Sequence, residues 1–215
     1  MTTAPPGRFD PAFVGQLDTL LAWRRDVRHF RRDPLPEGMM DTLLSLAQLS
    51  PSVGNSQPWR FVRVLSPGLR AALADHADAE VARTAAGYEE ERRAAYLALK
   101  LHGLREAPEI LAVFSESAPD AGHGLGIATM PEALLYSTVM AIQTLWLSAR
   151  ARGVGLGWVS IVEPDAVAAL LDVPAGWNFV AILCLGFPDA PSAVPELERR
   201  GWQDRGDWRG HVVER

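Results

Sequence analysis

Apolar residues recur at helical spacing near the start of the chain. Phe13, Leu17, Leu20 and Leu21 share one face, with Asp10 placed as N-cap and Pro11 at the first helical position. RRDPLP then breaks the chain, and Met40, Leu43, Leu44 and Ala47 mark a second helix. Short apolar runs follow a different pattern: RFVRVL, EILAVFS, LGWVSIV and NFVAILCLGF read as strands. Between them Ser66-Pro67 starts a helix, residues 80–106 form a charged and mostly helical stretch, and EPDAVAALLDV makes a short helix. The most apolar helix begins at Pro131, in PEALLYSTVMAIQTLWLSARARG, and stays hydrophobic nearly all round until Arg150. Such a helix must be buried, either centrally in a domain or across a subunit interface. Gly153 suits its C-terminus.

The segments SPSVGNSQPW and APDAGHGLGIA are loops, rich in Pro, Ser, Gly and Asn. Residues 1–9 read as a flexible arm and 189–215 as a polar C-terminal extension. That tail carries Trp202 and Trp208, so it is expected to pack on something, the partner subunit among the options. Helices outnumber strands, the interleaving is irregular and there is no internal repeat. This predicts a single α+β domain over 1–215, a central sheet flanked by helices.

Composition adds limits. With 215 residues, 48% hydrophobic and 22% charged, the chain has enough apolar material for a buried core. A net charge of −5 argues against general binding to nucleic acid or to a membrane surface. No apolar run approaches the roughly 20 residues of a membrane span, and the N-terminus lacks a signal-peptide pattern. A cytoplasmic location is the expectation. Cys184 is the one cysteine, inside a strand-like run, and reads as a small hydrophobe.

Against that acidic background, WRRDVRHFRR places five arginines within nine residues, Arg24 to Arg32, around the lone acid Asp26. Guanidinium forks match phosphate geometry and stay charged at any working pH. A phosphate clamp and a solvated helix end both fit the cluster. Asp26 is open as well. Beside arginines its pKa falls, whereas in an apolar pocket it rises and the group can move protons. Gly155 and Gly157, followed by Trp158, suggest close backbone approach to a flat ligand at a strand. GLGWVS lacks the full dinucleotide fingerprint. The histidines are scattered without metal-ligand spacing, so no metal site is expected.

Taken in order, RRDVRHF, LSPSVGNSQPWRFV, LKLHGLREAP, TMPEALLYSTVMAIQTLWLSARARGVGLGWVSI, LCLGFP and PELERRGW resemble the 5,6-dimethylbenzimidazole synthase (BluB) family, a branch of the nitroreductase superfamily. The resemblance runs from about Leu20 to about Arg205. It implies a nitroreductase-like FMN-binding fold with a mostly antiparallel sheet, working as an intertwined homodimer with flavin at the interface. It also implies that reduced FMN is the substrate and O2 the co-substrate, giving 5,6-dimethylbenzimidazole and erythrose 4-phosphate. A separate NAD(P)H-flavin reductase supplies FMNH2.

By position, the resemblance makes Asp26 and Ser160 the catalytic pair. It makes Arg24, Arg25, Val27 and Arg28 flavin-phosphate and ribityl contacts, with Gly157, Trp158, Val159 and Ser160 along the flavin. Ser52 to Gln57 lies under it, Lys100 belongs to a helical lid at about 80–106, and Arg205 is a further phosphate candidate. Asn55, Ile127, Leu134 and Leu135 depart from the family pattern. The alternatives are an NAD(P)H-dependent FMN nitroreductase or related flavin reductase, and a non-catalytic flavin carrier. Ordinary reductases of the superfamily usually carry a small residue such as serine where this chain has Asp26.

Overall fold

The structure is a computed structural model that describes residues 7–190 and 192–215; part of the predicted arm, residues 1–6, lies outside them. Helices α1 (Pro11–Trp23), α2 (Met39–Ala47), α3 (Pro67–Ala85), α4 (Glu90–Leu97), α5 (Ala133–Arg150), α6 (Pro164–Leu170) and α7 (Glu196–Arg199) alternate with strands β1 (Trp59–Arg63), β2 (Glu109–Glu116), β3 (Gly155–Val159) and β4 (Trp177–Gly186). The caps are those the sequence offers. The Asp10 carboxylate accepts from the Phe13 N–H at 2.8 Å, and Ser66 Oγ from the Leu69 N–H at 3.4 Å. Gly153, at φ +75, turns the chain out of α5.

The four strands form one sheet in the order β1-β2-β4-β3, with every strand pair antiparallel. Side chains alternate between its faces. Ile110, Ala112 and Phe114 of β2, with Ile182 and Cys184 of β4, pack toward α3 and α6. Leu111 and Val113, with Ala181, Leu183 and Leu185, pack toward α2 and α5. Both faces are covered, which is why the strands read as near-continuous apolar runs. Burial pushes the Cys184 thiol up to about 12, so the group stays protonated and silent.

Two helices keep apolar surface outside. α1 buries none of its residues. α5 buries Ser137, Ala141, Ile142 and Leu145, yet its opposite face leaves Tyr136 51% and Met140 45% exposed, with Leu135 and Val139 beside them. No helix among the described residues is long and apolar enough to cross a membrane.

The charged stretch is less helical than expected. α4 stops at Leu97, and residues 99–103 run without helix to a turn at 104–106, so Lys100 is not on a helix. A Cβ at Gly103 would stand 2.5 Å from the Phe30 ring, so the chain there must pass flat against that side chain. The tail packs as expected at Trp202, which meets Tyr88 and Tyr96 of the same chain, while Trp208 is 64% exposed.

Candidate active site

The site is built where α1 ends. Arg24 caps the helix, its N–H donating to the Leu20 carbonyl at 2.9 Å, and the chain then turns extended. Asp26 bridges Leu156 in parallel and Val27 N–H donates to the Leu156 carbonyl at 3.0 Å, so this segment runs along the outer edge of β3. Further on, Arg31 N–H donates to the Phe187 carbonyl at 2.9 Å and Asp189 N–H to the His29 carbonyl at 3.1 Å. The arginine segment is thus stitched to the sheet by backbone bonds at both ends.

That stitching gives the glycines of β3 a role within the fold. A Cβ on Gly157 would stand 2.0 Å from the Val27 carbonyl oxygen, and one on Gly155 2.8 Å from Val27 Cγ2. A Cβ on Gly186 would meet Pro108 at 2.5 Å and Phe30 at 3.1 Å. Gly155 and Gly157 therefore make room for the chain's own arginine segment.

Asp26 is held twice. Its Oδ1 accepts from the Trp158 N–H at 2.8 Å and its Oδ2 from Arg28 Nε at 2.9 Å. Loss of water raises its pKa, although Arg28, the Trp158 N–H and Arg24 all pull the other way. The side chain keeps 29% of its exposure, and loss of water is still the largest of these influences, so the net direction is upward. Arg28 also donates through Nη1 to the Lys100 carbonyl at 3.2 Å, and Lys100 Nζ pairs with Glu106 at 3.0 Å. Lys100 thus meets the site through its backbone.

Arg24, Arg25, Arg28 and Arg205 line one cleft of about 160 Å³, with Asp26 and Glu196 in its wall. The Arg24 guanidinium lies 4.7 Å over the Trp146 ring. Trp146 Nε1 donates to the Arg25 carbonyl at 3.1 Å, fixing the peptide between Arg25 and Asp26. Burial first, then the charges of Arg205 and Arg24, lower the pKa of the Arg25 guanidinium. Its Nε is buried without a partner among the described residues.

Val159 is buried in the core, and Ser160 is exposed just past the end of β3. Ser52 and Gln57 are elsewhere on this chain. Ser52 Oγ accepts from the Gln57 N–H at 3.0 Å, and Gln57 sits at φ +48. With Gly54 and Asn55, Gln57 lines a second pocket against the loop Gly122–Gly126, and none of its lining residues lines the arginine cleft. Trp146, Glu196 and the Leu156 and Trp158 backbone went unread in the sequence. Trp146 looks like any core tryptophan of an apolar helix, and backbone groups carry no sequence signal. Ser137, whose Oγ accepts from the Val53 N–H at 3.0 Å, had one: it is a polar residue in an apolar helix.

The nitroreductase family model matches residues 21–187, a span that begins one turn before the arginine cluster and ends at the close of β4. The chain belongs to the nitroreductase family. Within it, the chain is 57% identical over 215 residues to the 5,6-dimethylbenzimidazole synthase of Rhodospirillum rubrum, covering 100% of both. It is 49% identical over 196 residues to a 5,6-dimethylbenzimidazole synthase of Rhodobacter capsulatus, covering 91% of this chain and 95% of that one. Among solved structures, oxidized iodotyrosine deiodinase bound to FMN and 3-iodo-L-tyrosine superposes with a TM-score of 0.72 at 23% identity, over 93% of this chain and 97% of that one. That likeness establishes the shared nitroreductase fold.

Proposed function

We propose that this protein is a 5,6-dimethylbenzimidazole synthase that takes reduced FMN and O2 and fragments the flavin to 5,6-dimethylbenzimidazole and erythrose 4-phosphate. Asp26 carries the reading. A flavin that is merely recycled needs its phosphate held, which the arginines can do. It does not need, inside the same knot, a carboxyl group whose proton affinity burial has raised. Such a group exchanges protons closer to neutral pH than an ordinary aspartate.

The cleft fits a flavin phosphate. Among the described residues no carboxylate lies within ion-pair range of Arg24, Arg25 or Arg205, and Arg25 Nε is orphaned. Uncompensated guanidinium charge at one cleft matches a phosphate dianion. Reduced flavin, when bound, supplies the electrons for O2 chemistry. Asp26 holds or moves a proton at the ribityl C1′, with its position set by Trp158 N–H and Arg28. The Ser160 hydroxyl, which can donate and accept, orients groups beside it. Lys100 and the charged stretch close over the site and exclude water.

A second copy of the chain completes the site. The outward apolar faces of α1 and α5 support this, as does the separation of the Ser52–Gln57 pocket from the arginine cleft on one chain. Because the flavin is consumed, it cannot be re-reduced in place, and a separate NAD(P)H-flavin reductase supplies FMNH2. The deciding experiment gives the purified protein FMNH2 in air and measures 5,6-dimethylbenzimidazole by chromatography. Turnover of NADPH with a nitroaromatic, leaving FMN intact, defeats the synthase reading in favour of an ordinary reductase.

A further inference from the structure

The polar tail is anchored at one aromatic residue. Trp202 packs against the Tyr88–Tyr96 pair, with ring centroids at 6.3 and 6.0 Å, and the two tyrosines are 5.2 Å from each other. Arg92 covers this cluster, its guanidinium carbon 5.2 Å from the Trp202 ring and 5.7 Å from Tyr88. Tyr96 is buried, and Trp202 is half-buried between exposed neighbours. A tight turn aims it: Gly201 sits at φ +68 and Trp202 N–H donates to the Leu197 carbonyl at 2.8 Å.

Arg205 follows three residues later and lines the cleft with Arg24, Arg25 and Arg28. Among the described residues, no hydrogen bond or ion pair joins residues 203–215 to the rest of the chain. Trp202 is thus the last anchor before Arg205. A three-residue tether spans at most about 10 Å, so a pinned Trp202 confines Arg205 to the cleft's neighbourhood. With the pin released, the guanidinium samples a far larger volume.

We infer that Trp202 is a positioning residue for the flavin phosphate. It rests on the reading of the cleft given above. The cluster of Tyr88, just ahead of α4, with Arg92 and Tyr96 on α4 pins the tail, the pinned tail holds Arg205 in the cleft, and the grip on phosphate depends on α4 being in place. Anion grip and the covering helix are therefore one mechanical unit.

The test titrates oxidised FMN and riboflavin into the full-length protein, following flavin fluorescence, since riboflavin lacks only the phosphate. The wild type binds FMN more tightly than riboflavin. Trp202→Ala weakens FMN about tenfold or more and leaves riboflavin unchanged, the size of one lost charge-assisted contact. Trp202→Phe restores most of the loss. Adding Trp202→Ala to Arg205→Ala costs nothing further, because both remove the same contact. Arg92→Ala, at an exposed helix position, repeats the selective loss in milder form should Trp202→Ala not fold. Equal weakening of FMN and riboflavin, or additive losses in the double variant, overturns the inference and leaves the phosphate reading standing. A wild type with no preference for FMN over riboflavin overturns the phosphate reading itself.

Discussion

Replacing Gly157 by alanine separates two accounts of the same residue. If the glycine faces a flat ligand, the apo protein tolerates the methyl group and only flavin binding suffers. The geometry says otherwise. The new Cβ would begin 2.0 Å from the Val27 carbonyl oxygen and must retreat to at least 3.0 Å. The obstacle is backbone, so no rotamer change relieves it. Moving Val27 that far strains two bonds: Val27 N–H to the Leu156 carbonyl, 3.0 Å, and Trp158 N–H to Asp26 Oδ1, 2.8 Å. Overpacking costs about 1–3 kcal/mol. A backbone bond is worth about 1 kcal/mol and the charge-assisted one about 2 kcal/mol. The smaller unfolded-state entropy of alanine returns about 0.4–1 kcal/mol. The net loss is about 4 kcal/mol, a large share of the roughly 5–15 kcal/mol typical of a folded protein. At about 2–4 °C per kcal/mol for a chain of this size, the apo protein should melt roughly 10 °C lower. Gly155→Ala should cost less, because its nearest obstacle is the Val27 side chain. Thermal unfolding of the apo proteins by circular dichroism is the assay. A Gly157→Ala variant that melts with the wild type but has lost FMN refutes the packing argument and restores the ligand one.

Asp26→Asn should bind FMN yet form little 5,6-dimethylbenzimidazole, and unchanged product yield removes Asp26 from the chemistry. The same variant tests the raised pKa. The folded state binds this proton more tightly than the unfolded state, so wild-type stability relative to D26N should fall as pH rises through the ordinary carboxyl range toward the raised value, then level off. A flat difference across denaturant titrations at several pH values contradicts it. Val139→Glu, on the outward apolar face of α5, should convert a dimer to monomers and weaken flavin binding together; sedimentation that stays dimeric argues that this face is not the interface. Trp146→Phe deletes the bond to the Arg25 carbonyl and should cost about 1 kcal/mol of stability, with weaker FMN binding read by flavin fluorescence.

Elements were legible because periodicity and punctuation agreed. Asp10-Pro11 and Ser66-Pro67 start helices where those residues have a local mechanical role, and the strands announce themselves because both faces of the sheet are covered. The end of α4 was not legible. Glu89 to His102 carries helix-forming residues, and nothing local in the sequence marks the stop at Leu97. The departure Leu134 is a core residue, 4% exposed, so it disturbs nothing at the arginine cleft. The direction of the Asp26 pKa was undecidable for the same kind of reason. Five nearby arginines are visible in sequence, but the desolvation that outweighs them comes from β3, which is remote in the chain.

A glycine states only that something approaches closely, never what. Gly103, Gly155, Gly157 and Gly186 come from three separate segments, and all face Val27 or Phe30. Their shared meaning appears only once the chain is folded: they form a bed into which the arginine segment is pressed. The bed links packing to chemistry. It brings Asp26 against β3, where the Trp158 N–H catches one carboxylate oxygen and Arg28 the other. Arg24 and Arg25 are thereby turned toward the cleft, and Arg28 is left spanning Asp26 and the Lys100 carbonyl. The affinity of the arginines for an anion and the proton affinity of Asp26 are then two outcomes of one backbone placement. Substitutions in the bed should change both together, while substitutions at a single arginine should weaken the anion with a smaller effect on the acid.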